Sequence, residues 1–147
     1  NGADLRMLGD ALKGYRLTAM NARGACLMGL DLSGAHLQGA NLCEADLRGV
    51  NLRGADLRGA KLAGALMTKA DLRQAYLGPL PLTAERSTPS NLAGANLRYT
   101  QFQTADLSFA VLDGADLRGA DFTAARMAKA SVRGCNIDKA VGLDLNQ

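Results

Sequence analysis

A large apolar residue recurs at every fifth position along most of the chain. Leu27, Leu32, Leu37, Leu42, Leu47, Leu52, Leu57, Leu62, Met67, Leu72 and Leu77 form a first series. After a short disturbance the same frame resumes with Leu92, Leu97, Phe102, Leu107, Leu112, Leu117, Phe122, Met127, Val132 and Ile137. A small residue, usually alanine, stands two positions before most of these, as at Ala35, Ala55, Ala75, Ala105 and Ala120. Asp or Asn commonly stands one before, and Gly often two after, so the unit reads Ala-(Asp/Asn)-Leu-X-Gly.

Such a period matches neither an α-helix, at about 3.6 residues per turn, nor a strand, at about 2.0, so a single continuous element would scatter its Leu residues over every side. The chain must therefore turn at each unit. In locally extended backbone the small residue and the Leu, two apart, share one face, while the residues on either side of the Leu point outward. Gly at the last position tolerates the positive φ of a tight corner. Short sides joined by regular corners are predicted to build a coil that stacks on itself.

On these residues the sequence resembles the pentapeptide-repeat family from about Tyr15 to Ala140. The resemblance implies an all-β fold, a right-handed quadrilateral β-helix with about four units, or about 20 residues, per coil. Stacked at about 4.8 Å, some six coils would make a rod about 30 Å long, stabilised by neighbour-to-neighbour terms as in other solenoids. The predicted organisation is an N-terminal cap over 1–14 and a β-helix over 15–147, with an insertion at about 78–90.

Three segments depart from the pattern. Leu5, Leu8 and Leu12, followed by Gly14, suggest a capping helix from Ala3 to Lys13; the rival is a frame-shifted unit, Ala3-Asp4-Leu5, opening an irregular coil. Gly78 to Ser90 holds all three prolines of the chain, Pro79, Pro81 and Pro89. In strict frame it would bury Glu85 and Ser87 in a dry column, so the backbone is expected to leave the coil there. It is either a tolerated insertion or a partner-contact loop. Val141, Leu143 and Leu145 alternate at the C-terminal end, and are expected to cap the last coil or to pair with a second copy as a homodimer.

Composition narrows the function. The 147 residues are 48% hydrophobic, 21% charged and 4% aromatic, with a net charge of +3. This suits one domain with a continuous core. Apolar runs are too short for a membrane-spanning helix. Cys26 and Cys43 fall at outward positions and Cys135 at an inward one, which points to no disulfide and makes a reducing cytoplasm the expected compartment. Clustered cations interleaved with aromatics are missing, so nucleic acid is not the expected partner.

Candidate chemistry is sparse. Arg48, Arg53, Arg58, Arg73, Arg98, Arg118 and Arg133 follow the central Leu; many have an Asp two positions earlier, which makes a self-neutralised surface the first expectation. Arg53 with Arg73, and Arg98 with Arg118, are candidate basic columns. The single histidine, His36, lies one coil from Asp56 with no nucleophile or second histidine, so neither catalysis nor a metal site is expected, nor any cofactor. Leu66, Tyr76, Tyr99, Phe109 and Val111 are apolar at outward positions. Leu66, Tyr76, Tyr99 and Phe109 are grouped with Pro79, Leu80, Pro81 and Leu82 as a candidate interaction surface around the loop. The expected function is a non-enzymatic rigid scaffold that binds another macromolecule, most simply a protein. The alternative, implied by the quinolone-resistance branch of the resembled family, is a DNA-mimicking protein that protects gyrase; it requires one acidic face.

Overall fold

In the computed structural model, residues 2–146 are described. They form a four-sided β-helical solenoid whose sides are single parallel bridges between successive coils. The first face runs through Asp4, Cys26, Asp46, Leu66, Asn96, Asp116 and Asn136, and the second through Asp31, Asn51, Asp71, Gln101, Asp121 and Val141. Arg16, His36, Asp56, Tyr76, Asp106 and Arg126 mark the third face, and Asn21, Asn41, Lys61, Asn91, Val111 and Ser131 the fourth. Each coil hydrogen-bonds to the next at all four sides: Leu42, Leu47, Leu52 and Leu57 donate to the carbonyls of Lys61, Leu66, Asp71 and Tyr76 at 2.7–2.8 Å.

The interior is the predicted column. Every central residue from Leu27 to Met127 is at most 2% exposed, and the alanines two before them close the remaining space. Phe102 and Phe122 occupy stacked slots on the second face, with ring centroids 4.9 Å apart and planes 9° from parallel. Coil spacing and aromatic stacking distance coincide, so neither ring is forced off its slot. Val132 is only partly buried and Ile137 is 51% exposed although both are in frame. No coil of the described residues lies beyond them to cover that end.

Asp or Asn before the central residue has a local cause. Its side-chain oxygen accepts the backbone N–H two residues on, for instance Asp56 from Arg58, Asn51 from Arg53 and Asp121 from Thr123. This Asx turn satisfies an N–H that the corner leaves without a backbone partner. Corner residues have positive φ, near 65–71° at most glycines but also 55–63° at Tyr99, Phe109, Lys69, Lys129 and Gln74.

One expectation needs correction. The capping helix over Ala3 to Lys13 does not form; only a 3-10 turn at Arg6–Leu8 is present. Asp4 instead bridges Cys26, and the Leu5 N–H donates to the Cys26 carbonyl, so the irregular-coil reading holds. Leu5 and Leu12 pack on the column, whereas Met7 and Leu8 face solvent. A helix would have forfeited the coil-edge hydrogen bonds that Cys26 offers, with Gly9 already weakening it. At the other end Val141 belongs to the second-face ladder, Leu143 packs on the column and Leu145 is exposed.

Candidate functional site

The strongest irregularity is where the wall admits extra residues. Asn41 bridges Lys61 twenty positions later, whereas Lys61 bridges Asn91, thirty later. The ten added residues leave at the corner between the third and fourth faces and form a hairpin. Its strands are β1, Leu80–Pro81, and β2, Ser87–Thr88, paired antiparallel as Leu80 with Thr88 and Pro81 with Ser87. At the tip, the Leu82 and Thr83 N–H groups donate to the Arg86 carbonyl, while Thr83 Oγ1 accepts from the Glu85 and Arg86 N–H groups. Glu85 and Ser87 are exposed, as their polarity requires.

Two contacts fasten the hairpin. Leu80 lies against the corner glycines Gly59 and Gly39: a Cβ built on Gly59 would stand 2.7 Å from the Leu80 Cβ, and one on Gly39 3.7 Å from its Cδ2. At the neck, the Leu57 carbonyl accepts from the Ala60 N–H three residues on, but the insertion removes the matching partner of Leu77. The hydroxyl of Ser90, fully buried where most units have Ala, donates to the Leu77 carbonyl instead.

The third face beside the hairpin carries the clefts. Tyr76, 54% exposed, replaces the usual Asp or Asn. On one side is an open cleft of ≈ 440 Å³ bounded by Gly54, Gln74, Thr104, Asp106 and Arg126; on the other is one of ≈ 360 Å³ lined by Asp56, Arg58 and Asp106. Arg58 forms a bidentate pair with Asp56, Nη2 to Oδ2 at 2.7 Å, and Gln38 donates to the same oxygen at 2.8 Å. Burial raises the Asp56 carboxyl, but the Arg58 and Gln38 hydrogen bonds outweigh it and hold the group below its ordinary value. Asp106 accepts from the Ser108 N–H, and its nearest cation is Arg126 at 3.9 Å.

The predicted apolar surface divides. Leu66 is on the first face, Tyr76 on the third, and Tyr99 at the corner between the first and second, diagonally across the rod from the hairpin. Phe109 is at the hairpin's own corner, with Lys129 Nζ 5.3 Å from its ring centre. Pro81 and Leu82 are exposed, but Leu80 is packed on the wall rather than presented at a tip. The premise of one cluster that includes Tyr99 and Leu66 is therefore corrected by the register.

The basic columns have the expected stacking, with the Gly54 N–H bonded to the Arg73 carbonyl and Tyr99 to that of Arg118. In each column one member is neutralised: Arg73 by Asp71 at 2.7 Å and Arg118 by Asp116 at 2.6 Å. These hydrogen bonds hold both carboxyls below the usual range. Arg53 and Arg98 follow asparagines instead. His36 bridges Asp56 and lies in a small depression with Arg16, Thr18 and Gln38. Cys26, Cys43 and Cys135 are free thiols. Burial pushes the Cys135 thiol up, and its Sγ–H donates to the Leu112 carbonyl at 2.9 Å. Among the described residues no His, Cys, Asp and Glu group is arranged to hold a metal ion, and no helix is long and apolar enough to cross a membrane.

Gly59, Ser90, Asp106 and Arg126 are missed by sequence reasoning. The available signal is Ser90 at an alanine position; the others depend on which coil faces which. A sequence profile of pentapeptide repeats matches residues 25–64, 55–77 and 100–138, in eight copies. The chain belongs to the pentapeptide repeat family. No curated protein sequence matches it. Among solved structures, a pentapeptide repeat protein from the Arabidopsis thaliana thylakoid lumen is 29% identical, with 77% of this chain and 68% of that one covered and a TM-score of 0.56. HetL, a pentapeptide repeat protein involved in heterocyst differentiation regulation from the cyanobacterium Nostoc, is 30% identical over 96% of this chain, at a TM-score of 0.45. This chain spans 62% of the length of HetL. QnrB1, a plasmid-mediated fluoroquinolone resistance protein, shares the fold at a TM-score of 0.61 with 17% identity, covering 95% of this chain and 69% of that one.

Proposed function

We propose that this pentapeptide repeat protein is a non-enzymatic, rigid scaffold for a protein partner, and that the partner is contacted at the hairpin and the Tyr76 clefts. The carrying observation is the hairpin: on an otherwise uniform wall, ten residues are extruded yet held in one conformation by Leu80 on Gly59 and Ser90 on Leu77. A loop fixed before binding loses little entropy when a partner arrives. Pro81 and Leu82 supply exposed apolar surface, and Tyr76 an aromatic anchor beside two open clefts.

The faces do not favour the DNA-mimic alternative. The most acidic is the second, where Asp31, Asp71 and Asp121 stand against Arg53 and Arg73. One net negative charge offers little field to compete with DNA phosphates. Three free thiols support a reducing compartment such as the cytoplasm.

The test removes the hairpin without opening the wall. Deleting residues 79–88 and changing Pro89→Gly leaves a twenty-residue coil with glycine at its corner. The variant is expected to keep its circular dichroism and melting temperature while losing partners captured by the intact protein. Capture unchanged by this deletion and by Tyr76→Ala would remove the hairpin and clefts from the function. Relief of fluoroquinolone inhibition of gyrase supercoiling would favour the alternative.

A further inference from the structure

The corner between the first and second faces, across the rod from the hairpin, carries a different chemistry. Its residues stack in the order Gly29, Gly49, Lys69, Tyr99, Gly119 and Lys139, through bonds such as Lys69 N–H to the Arg98 carbonyl and Tyr99 N–H to that of Arg118. Lys69, Tyr99 and Lys139 have φ of 60°, 55° and 57°, backbone that favours glycine. Their side chains stand on the convex edge of the rod.

Tyr99 is laid flat along that edge. A Cβ built on Gly119 would come within 2.5–2.6 Å of its ring carbons, so the ring occupies the space above the glycine while the residue stays 50% exposed. The Arg98 guanidinium carbon is 5.8 Å from the ring centre. Arg98 has Asn96 where Arg48, Arg58, Arg73 and Arg118 each have a paired Asp, and the Asn96 oxygen takes only its backbone N–H. Its buried Nε has no hydrogen-bond partner.

Among the described residues no carboxylate is within ion-pair distance of Lys69, Arg98 or Lys139. The nearby acids are engaged elsewhere: Asp71 with Arg73, Asp116 with Arg118, and Asp121 with Thr123 and Gln103. Asp138, at the far end, acts on Arg118. Asp116 also feels Arg98 at longer range than its own partner Arg118. Three cations without an ion pair thus flank one exposed aromatic platform.

We propose that this ridge is a second docking surface, which takes an acidic segment of a polypeptide in extended form. Lys69 and Lys139 are three coil steps apart, about 14 Å. An extended peptide covers that distance in about four residues, and its alternate side chains, about 6.6 Å apart, reach successive cations. Carboxylates at these alternate positions meet Lys69, Arg98 and Lys139, and the peptide backbone between them crosses the Tyr99 ring. Nucleic acid fits less well, because it is usually held by a groove with several stacking aromatics, whereas this edge is convex and has one.

The test uses the intact protein and two fluorescein-labelled probes of equal length, an alternating Glu-Ser peptide and an oligo-dT strand, followed by fluorescence anisotropy at low salt. Lys69→Gly with Arg98→Gln and Lys139→Gly is expected to weaken the peptide about tenfold. It should melt no lower than the parent, since glycine suits both corners. A control with the same charge change on other parts of the surface, Lys13→Gln with Arg53→Gln and Lys61→Gln, should bind the peptide as the parent does. Equal weakening in both variants, no measurable peptide binding by the parent, or tighter binding of oligo-dT than of the peptide would each overturn the proposal. The hairpin plays no part in this measurement, so its outcome is independent of the scaffold contact proposed above.

Discussion

Two neighbouring coils of this protein solve the same closure problem with different lengths of chain. The coil that closes Asn41 onto Lys61 uses twenty residues, and the one that closes Lys61 onto Asn91 uses thirty. Yet the column is equally dry in both, with Leu47, Leu57, Leu72, Leu77 and Leu92 all fully buried. The extra residues leave at a corner, because there the side chains point out and no stacked central residue has to move. They are accepted because two local repairs offset what the corner loses: the Ser90 hydroxyl replaces a turn hydrogen bond, and Gly59 clears the space into which Leu80 packs. A solenoid of this kind tolerates insertion where its coupling is weakest, provided that both flanking units keep their neighbours.

The largest expected effect breaks what the two coils share. Leu57→Asp places a carboxylate in a fully buried slot with no partner, at several kcal/mol, against a total stability of about 5–15 kcal/mol. Loss of the cooperative thermal transition is expected. Arg58→Gln, one residue on but outward, should shift the midpoint only slightly, and similar small shifts for both would overturn the inward assignment.

Next comes the contact that only the longer coil has. Gly59→Ala meets both the left-handed φ and Leu80, whereas Gly54→Ala, with the same φ of 68°, has nothing within 4 Å. The backbone term, about 1–2 kcal/mol, is common to both. Gly59→Ala is expected to cost about 1 kcal/mol more by denaturant titration, in line with the low end for overpacking, and the excess should vanish once residues 79–88 are deleted. An excess that survives the deletion would mean that Leu80 is not its cause.

Ser90→Ala sharpens the same comparison at the neck. It leaves the Leu77 carbonyl without its donor, worth about 1–3 kcal/mol for a buried group. In the deletion variant the residue is back in a regular turn, so the same change should be close to neutral. Equal costs in the two backgrounds would separate Ser90 from the insertion.

The smallest effect is shared by the outer walls. Asp71 and Asp116 are held below the ordinary carboxyl range by Arg73 and Arg118, and Asp56 by Arg58 and Gln38 against its burial. A depressed folded-state value means that the stabilisation is complete above the unfolded-state value, near 3.9 for Asp, and is lost as pH falls through the folded-state value. The melting temperature should therefore be flat from pH 7 to about 5 and decline below about 4. Asp71→Asn with Asp116→Asn should flatten part of that decline, and an unaltered acid slope would assign it to other carboxylates.

Much of the fold is legible in the sequence because a period of five leaves one way to bury a residue per unit, so inward residues from Leu27 to Met127 can be named without coordinates. The ends are less legible. Leu5, Leu8 and Leu12, at i, i+3 and i+7, favour a helix, and only the free hydrogen-bonding edge at Cys26 decides for the irregular coil.

The lateral arrangement of the surface is a separate matter. The repeat frame determines whether a residue points in or out, and that much the sequence decided by itself. Which outward residues become neighbours depends on the number of residues per closed coil. The ten-residue insertion carries every later unit two faces around the rod. With twenty-residue coils throughout, Tyr76 would face Asn96; with the thirty-residue coil it faces Asp106, and Lys69 meets Tyr99. The insertion preserves the five-residue frame, so nothing in the pattern of Leu and Ala registers the shift. The clefts beside Tyr76 and the cationic ridge at Tyr99 were decided in three dimensions, where the length of one loop sets the alignment of the coils above and below it.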